Sequence, residues 1–175
     1  NAYLNGVSYH TPDYSKANGT STIDFPMHWA FKDASSAFGA AKGEDSLYND
    51  ATWAVTYVDS HDYGPDGQEK TRYQGGASAW AENMDLMFTF RGIPCIYYGS
   101  EVEFKKDVPI DVGPNAPLDK TGRAYFGDYL EGSVTADDYG KYTASGTVAS
   151  TLDAPLAKHL EKLNQIRRAV PALQK

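Results

Sequence analysis

The stretch Val55-Thr56-Tyr57-Val58-Asp59-Ser60-His61-Asp62 begins as a β-branched and aromatic run and breaks off into four polar residues. An apolar run of this kind, with no polar alternation, reads as a strand buried on both faces, as strands of parallel sheets are. Ligands of parallel sheets are met at the carboxyl ends of the strands, which is where His61 and Asp62 stand. Moving toward the C-terminus, a Gly/Pro/Asp-rich loop leads to Gly76. A helix over 77–90 then places Trp80, Met84, Met87 and Phe88 on one face. Arg91-Gly92 reads as its stop, a cation in the last turn followed by glycine. Ile93-Pro94-Cys95-Ile96-Tyr97-Tyr98 reads as another strand, with its proline near the start, and it ends in Gly99-Ser100-Glu101.

Moving toward the N-terminus, Thr22-Ile23-Asp24-Phe25 is a short apolar segment ahead of a helix. Met27, Ala30, Phe31, Ala34, Ala37 and Phe38 form the face of that helix, with Pro26 in its first turn and Gly39 as its stop. Residues 1–20 and 40–52 read as loops. The segment 99–150 is long, polar and irregular, and a connection of that length is normally functional. A last helix over 153–170 carries Leu156, Leu160, Leu163, Ile166 and Val170 on one face, with Asp153 as N-cap, Pro155 in the first turn and Pro171 as terminator. The order strand, helix, strand, helix, strand, helix implies an α/β fold of parallel strands with helical crossovers.

The chain has 175 residues, 41% of them hydrophobic and 22% charged, which is one ordinary globular domain rather than a disordered or repetitive one. Its apolar runs, 84–90 and 93–98, are far shorter than the ~20 residues that cross a bilayer. With 16 basic against 23 acidic residues the net charge is −7, and the cations are scattered; phosphate-backbone binding needs them clustered, so nucleic acid is excluded as a partner. Cys95 is the single cysteine, so no internal disulfide forms, and its apolar run suggests a small hydrophobe. No secretory signal opens the chain at Asn1-Ala2-Tyr3-Leu4-Asn5-Gly6. Thirteen Tyr and three Trp suit a core and its rim, and lean toward carbohydrate or peptide contact.

A carboxylate beside an imidazole can bind vicinal hydroxyls, stabilise a developing cation or exchange protons. The residues alone leave another reading open, in which Asp62 caps a turn and His61 is an ordinary rim residue. Asp62, Asp66 and Glu69 do not have EF-hand spacing, so no metal site is assigned. Nucleotide-binding, zinc-protease, serine-hydrolase and C-x-x-C motifs are absent from the chain. Asn18-Gly19-Thr20 has the form of a glycosylation acceptor and carries no weight by itself.

Taken together, residues 55–62 and Phe90-Arg91-Gly92-Ile93-Pro94-Cys95-Ile96-Tyr97-Tyr98-Gly99-Ser100-Glu101 resemble the α-amylase family of glycoside hydrolases. Residues 55–62 are similar to that family's hydrophobic–D–N–H–D motif, with Ser60 in place of the usual Asn. Residues 90–101 are similar to its G-[IV]-P-x-[IL]-Y-Y-G-x-E segment. Ser21-Thr22-Ile23-Asp24-Phe25 resembles the preceding strand.

The resemblance implies the C-terminal portion of a (β/α)8 TIM barrel. Strand six and its helix fall at 21–40, strand seven and its helix at 54–90, strand eight at 93–98, a long loop at 99–150 and helix eight at 153–170. It also implies that the nucleophile and the acid/base carboxylate lie on earlier strands, upstream of residue 1, so that this chain alone is inactive. Asp62 then matches the family's third carboxylate, which supports an oxocarbenium-like transition state, and His61 a sugar-hydroxyl ligand. Glu101 matches a mainly structural position. The segments around 111–115 and 122–126 are expected to shape one wall of the cleft.

The implied partner is an α-glucan, the implied parent enzyme is extracellular, and no cofactor is evident, although calcium in the complete enzyme is compatible with the resemblance. Two alternatives share these motifs: a transglycosylase of the cyclodextrin-forming type, and a non-catalytic sugar-binding or structural half-barrel. An open strand edge leads one to expect self-association of the isolated chain.

Overall fold

The computed structural model describes residues 21–48, 50–64, 70–138 and 140–174. The loop at 1–20, the Asn18-Gly19-Thr20 triplet, and Asp66 and Glu69 lie outside them.

Three extended segments run parallel. Strand β1 (Val55–Thr56) pairs with β2 (Ile93–Pro94), Val55 opposite Ile93 and Thr56 opposite Pro94, and Ile23 bridges to Val55 on the other side. The ladder continues past the short strands, with the amides of Asp24, Ile93 and Cys95 donating to the carbonyls of Val55, Ala54 and Thr56 at 2.8–2.9 Å. Side chains alternate across a strand, so Ile23, Val55 and Ile93 share one face while Asp24 and Thr56 lie on the other. The latter face is buried against helices, whereas Ile23 and Ile93 are about half exposed.

Helix α1 (Phe25–Ala30) starts where the Asp24 side chain accepts from the Met27 amide, with proline in its first turn. The single helix expected from Met27 to Phe38 is in fact two. The Asp33 carboxylate accepts the Ser36 amide at 2.8 Å, and this new N-cap starts α2 (Ala34–Glu44), which runs straight through Gly39. Short 3₁₀ turns at Asp45–Leu47 and Ala51–Trp53 then occupy what reads as loop.

Helix α3 (Ala77–Thr89) is found where its periodicity puts it. Trp80, Met84, Met87 and Phe88 are all buried, in one core with Met27, Phe31, Val58, Leu156 and Leu163. Each such side chain contributes ~1.5–3 kcal/mol on leaving water. The expected role of Arg91 as the cation of the last turn is not what forms. Its guanidinium turns away to pair with Asp24 at 2.6 Å and Asp45 at 2.5 Å, tying the first extended segment to the loop after α2. The Phe88 carbonyl in the last turn of α3 is met instead by Arg167 of α5 (Pro155–Ala169) at 2.8 Å, and Arg167 also donates to the Gly92 carbonyl just beyond the helix at 3.0 Å. Gly92 itself has φ +102°, and a Cβ there would stand 2.8 Å from the Ala54 carbonyl oxygen.

The segment 99–150 is not without elements of its own. It holds 3₁₀ turns at Ser100–Val102, Leu118–Lys120 and Gly127–Leu130, an antiparallel hairpin of β3 (Ser133–Asp138) and β4 (Lys141–Ser145), and helix α4 (Thr147–Leu152). The fold is thus parallel strands and helices with an added antiparallel pair, and the three parallel segments do not form a closed barrel. Asp153 is not the N-cap of α5; that position is Ala154, and Asp153 closes α4 while pairing with Lys158 at 2.8 Å. Ile166 and Val170 remain about 40% exposed on the expected apolar face of α5. Cys95 is exposed, on the sheet face shared with Val55 and Ile93, and not buried as its apolar run suggests. No helix among the described residues is long and apolar enough to cross a membrane.

Candidate active site

Beyond β1 the backbone stays buried through Val58 and Asp59 and then turns sharply. Ser60 makes the turn: its amide donates to the Tyr63 carbonyl at 2.8 Å, and its hydroxyl accepts the amides of Asp62 and Tyr63, each at 3.1 Å. A serine hydroxyl caps such a turn well. The result is that His61 and Asp62 project into solvent, their side chains 67% and 53% exposed, with His61 Nε2 3.2 Å from Asp62 Oδ2. They stand at the mouth of a cleft of about 220 Å³, which the exposed sheet face lines with Ile23, Phe25, Tyr57, Cys95 and Tyr97. Burial raises the pKa of the Tyr57 and Tyr97 hydroxyls above the ordinary tyrosine value, so both are neutral donors at any working pH.

One cation reaches the pair from far along the chain. Arg123 Nε donates to the His61 carbonyl at 2.8 Å, and Nη2 to Asp62 Oδ1 at 3.1 Å, while Nη1 pairs with Asp111 Oδ2 at 3.2 Å. The structure therefore brings His61 and Asp62 together, and adds Arg123 and Asp111 from the segment expected to wall the cleft. Glu101 is not in this cluster. It sits behind the strand ends, near enough to Asp59 to raise its pKa, and its Oε2 is buried with no hydrogen-bond partner among the described residues.

Under the turn lies a buried ionic base that the sequence does not signal. Arg72, 1% exposed, donates to the carbonyls of Gly122 and Tyr98 at 3.0 Å and to the Ser100 hydroxyl at 3.2 Å, with its guanidinium 4.6 Å from the Tyr97 ring centroid. Its Nε is 3.7 Å from Asp59, which also takes a 2.7 Å hydrogen bond from Ser100. Burial pushes the Asp59 carboxyl up to about 6, against the pull of Arg72 and Ser100. Arg72 follows a polar loop with no periodicity, and its acceptors are mainly backbone carbonyls, which carry no residue-type signature.

Chemically, a carboxylate and an imidazole at the end of a parallel strand, facing an aromatic cleft, can hold ring hydroxyls and stabilise positive charge. Among the described residues no three His, Cys, Asp or Glu side chains form a group able to hold a metal ion.

The chain is 29% identical over 187 aligned positions to an α-amylase of Streptomyces lividans, covering 98% of this chain and 20% of that protein. It thus spans about one fifth of the length of this curated relative. No family model matches it. Among solved structures, it superposes on a γ-cyclodextrin glucanotransferase (γ-CGTase) of alkalophilic Bacillus clarkii with a TM-score of 0.55 at 15% identity, over 98% of this chain and 20% of that one. An α-amylase of Geobacillus thermoleovorans, solved with acarbose, gives 0.55 at 18% identity, over 93% and 32%. These neighbours are barrel enzymes, of which the chain matches a small part. The similarity to a curated α-amylase along nearly the whole chain, on a fold shared with part of such enzymes, supports the α-amylase family of glycoside hydrolases.

Proposed function

We propose that this chain forms strands six to eight of the catalytic barrel of a retaining α-glucan hydrolase, one that cleaves α-1,4-glucosidic bonds of starch-like polysaccharides. The observation that carries the reading is the exposed His61–Asp62 pair, raised by the Ser60 turn at the exit of a parallel strand. In this role Asp62 is the transition-state carboxylate. As the glycosidic bond breaks, positive charge grows on the sugar ring, and a fixed carboxylate beside it stabilises that charge more than it stabilises the ground state. His61 holds a sugar hydroxyl, and the neutral phenols of Tyr57 and Tyr97 add donors along the cleft. Retaining chemistry also needs a nucleophile and an acid/base carboxylate ~5–5.5 Å apart. In this reading both come from strands upstream of residue 1, the 175-residue chain alone is inactive, and the parent enzyme works outside the cell.

The expected result is that Asp62→Asn in the full-length protein lowers reducing-sugar release from soluble starch by several orders of magnitude while the circular dichroism spectrum is unchanged. Near-wild-type turnover in the folded variant would remove Asp62 from the site. The likeness to a γ-CGTase, equal in TM-score to that of the α-amylase, supports an alternative in which the glycosyl group passes to a sugar and not to water. Mass spectrometry of the products separates the two, since cyclic glucans lack one water relative to linear ones.

A further inference from the structure

Arg123 makes three contacts through three different nitrogens, and its own mounting is rigid. The neighbouring Gly122 carbonyl is held by the buried Arg72, and the Gly122 amide donates to the Pro109 carbonyl at 2.8 Å. A Cβ at Gly122 would stand 2.7 Å from the Arg72 side chain, so the backbone here is packed directly against it. On the other side, the Tyr98 hydroxyl donates to the Ala124 carbonyl at 2.9 Å. Asp111 is equally anchored, for it follows Ile110, which is fully buried and whose amide donates to the Lys70 carbonyl at 2.9 Å. A fixed base therefore carries a planar fork onto an exposed turn, whose other hydrogen bonds among the described residues lie within 60–63.

We propose that Arg123 is a positioning residue for the pair His61 and Asp62. It clamps the His61 backbone and the Asp62 carboxylate in one geometry, and is itself aimed by Asp111. The inference rests on the proposed function, and it goes further by giving the exposed carboxylate its rigidity. A flexible carboxylate would average over many orientations, and a misplacement of about 1 Å can cost ~100-fold in rate. Two carboxylates around one guanidinium leave each with part of a positive partner, so Asp62 keeps negative character toward a substrate. The planar fork matters, because a lysine ammonium is a compact charge on a flexible stem and cannot reproduce the three directions.

The test is a mutant cycle in the full-length protein acting on soluble starch. Arg123→Ala is expected to lower kcat by about 10- to 100-fold with KM changed less than about threefold. In an Asp62→Asn background the same substitution is expected to change kcat by less than about twofold, because the group through which it acts is already disabled. An equal loss in both backgrounds would mean a role independent of Asp62 and would overturn the proposal. Arg123→Lys is expected to remain nearer to Arg123→Ala than to wild type, whereas full recovery by lysine would overturn the fork geometry. Should Arg123→Ala fail to fold, Asp111→Asn is read in the same two backgrounds, with a smaller loss that must also vanish beside Asp62→Asn. If Asp62→Asn alone leaves turnover intact, the proposed function falls and the clamp is judged by hydrogen exchange. Faster exchange of the Asp62 and Tyr63 amides in Arg123→Ala then upholds it, and unchanged exchange overturns it.

Discussion

Asp59 and Asp62 are three residues apart and live in opposite electrostatic surroundings. Asp62 is solvated and shares a guanidinium, while Asp59 is 3% exposed above a buried one. Because burial raises the folded-state pKa of Asp59 from the ordinary 3.8 to about 6, its protonated form is the one the fold favours. The sign follows from linkage: the folded chain binds more protons than the unfolded one between these two values, so the stabilising contribution is complete below about 3.8 and is lost as pH rises through about 6. Asp59→Asn mimics the protonated carboxyl and keeps an acceptor for Ser100. The expected outcome is that the urea midpoint of wild type falls relative to that of Asp59→Asn between about pH 4 and about pH 6.5; a constant difference would show that Asp59 does not titrate there. The Ser60 turn separates the two aspartates in exposure, and their different guanidinium partners, Arg72 and Arg123, arrive from distant segments that residues 55–62 do not reveal.

At the scale of elements, the parallel segments and α3 are legible in the sequence because burial is imprinted on them. Val55-Thr56-Tyr57-Val58 carries no polar alternation, and the α3 face recurs at helical spacing. The break at Asp33 is not legible, because Phe31, Ala34 and Phe38 keep their spacing across it and only the Asp33 cap decides otherwise. The hairpin at 133–145 escapes for the opposite reason: its strands are exposed almost throughout, so no inside-outside pattern forms in the sequence. Of the candidate site, His61 and Asp62 are legible from their place at a strand end, whereas the fork of Arg123 spans 61 residues and leaves no local trace. Two glycines that both read as helix stops separate in the structure. Gly39→Ala meets nothing within 4 Å in the middle of α2 and is expected to stabilise the chain by about 1 kcal/mol. Gly92→Ala meets the Ala54 carbonyl at a positive φ and is expected to destabilise it by more than about 1 kcal/mol. Urea titration of the two variants reads both signs, and equal signs would refute this assignment.

For the whole molecule, the consequence of three parallel segments without closure is an apolar sheet face in contact with water. Ile23, Phe25 and Ile93 are each 48–56% exposed on or beside it. The isolated chain is expected to sediment as increasingly large species as its concentration rises, and Ile23→Lys with Ile93→Lys to shift it back toward monomer; a concentration-independent monomer in wild type would refute the expectation. The buried guanidinium of Arg72 has a different consequence. Its acceptors lie 26, 28 and 50 residues away in sequence, and a desolvated cation is tolerable only when all of them are present. A half-assembled version of this region would hold an uncompensated charge, so it has no stable partial form. Tyr98, Ser100, Gly122 and the strand-end aspartate are therefore expected to order together rather than one by one. They are expected to part together as well, so that the ground beneath the His61–Asp62 turn opens as one cooperative unit.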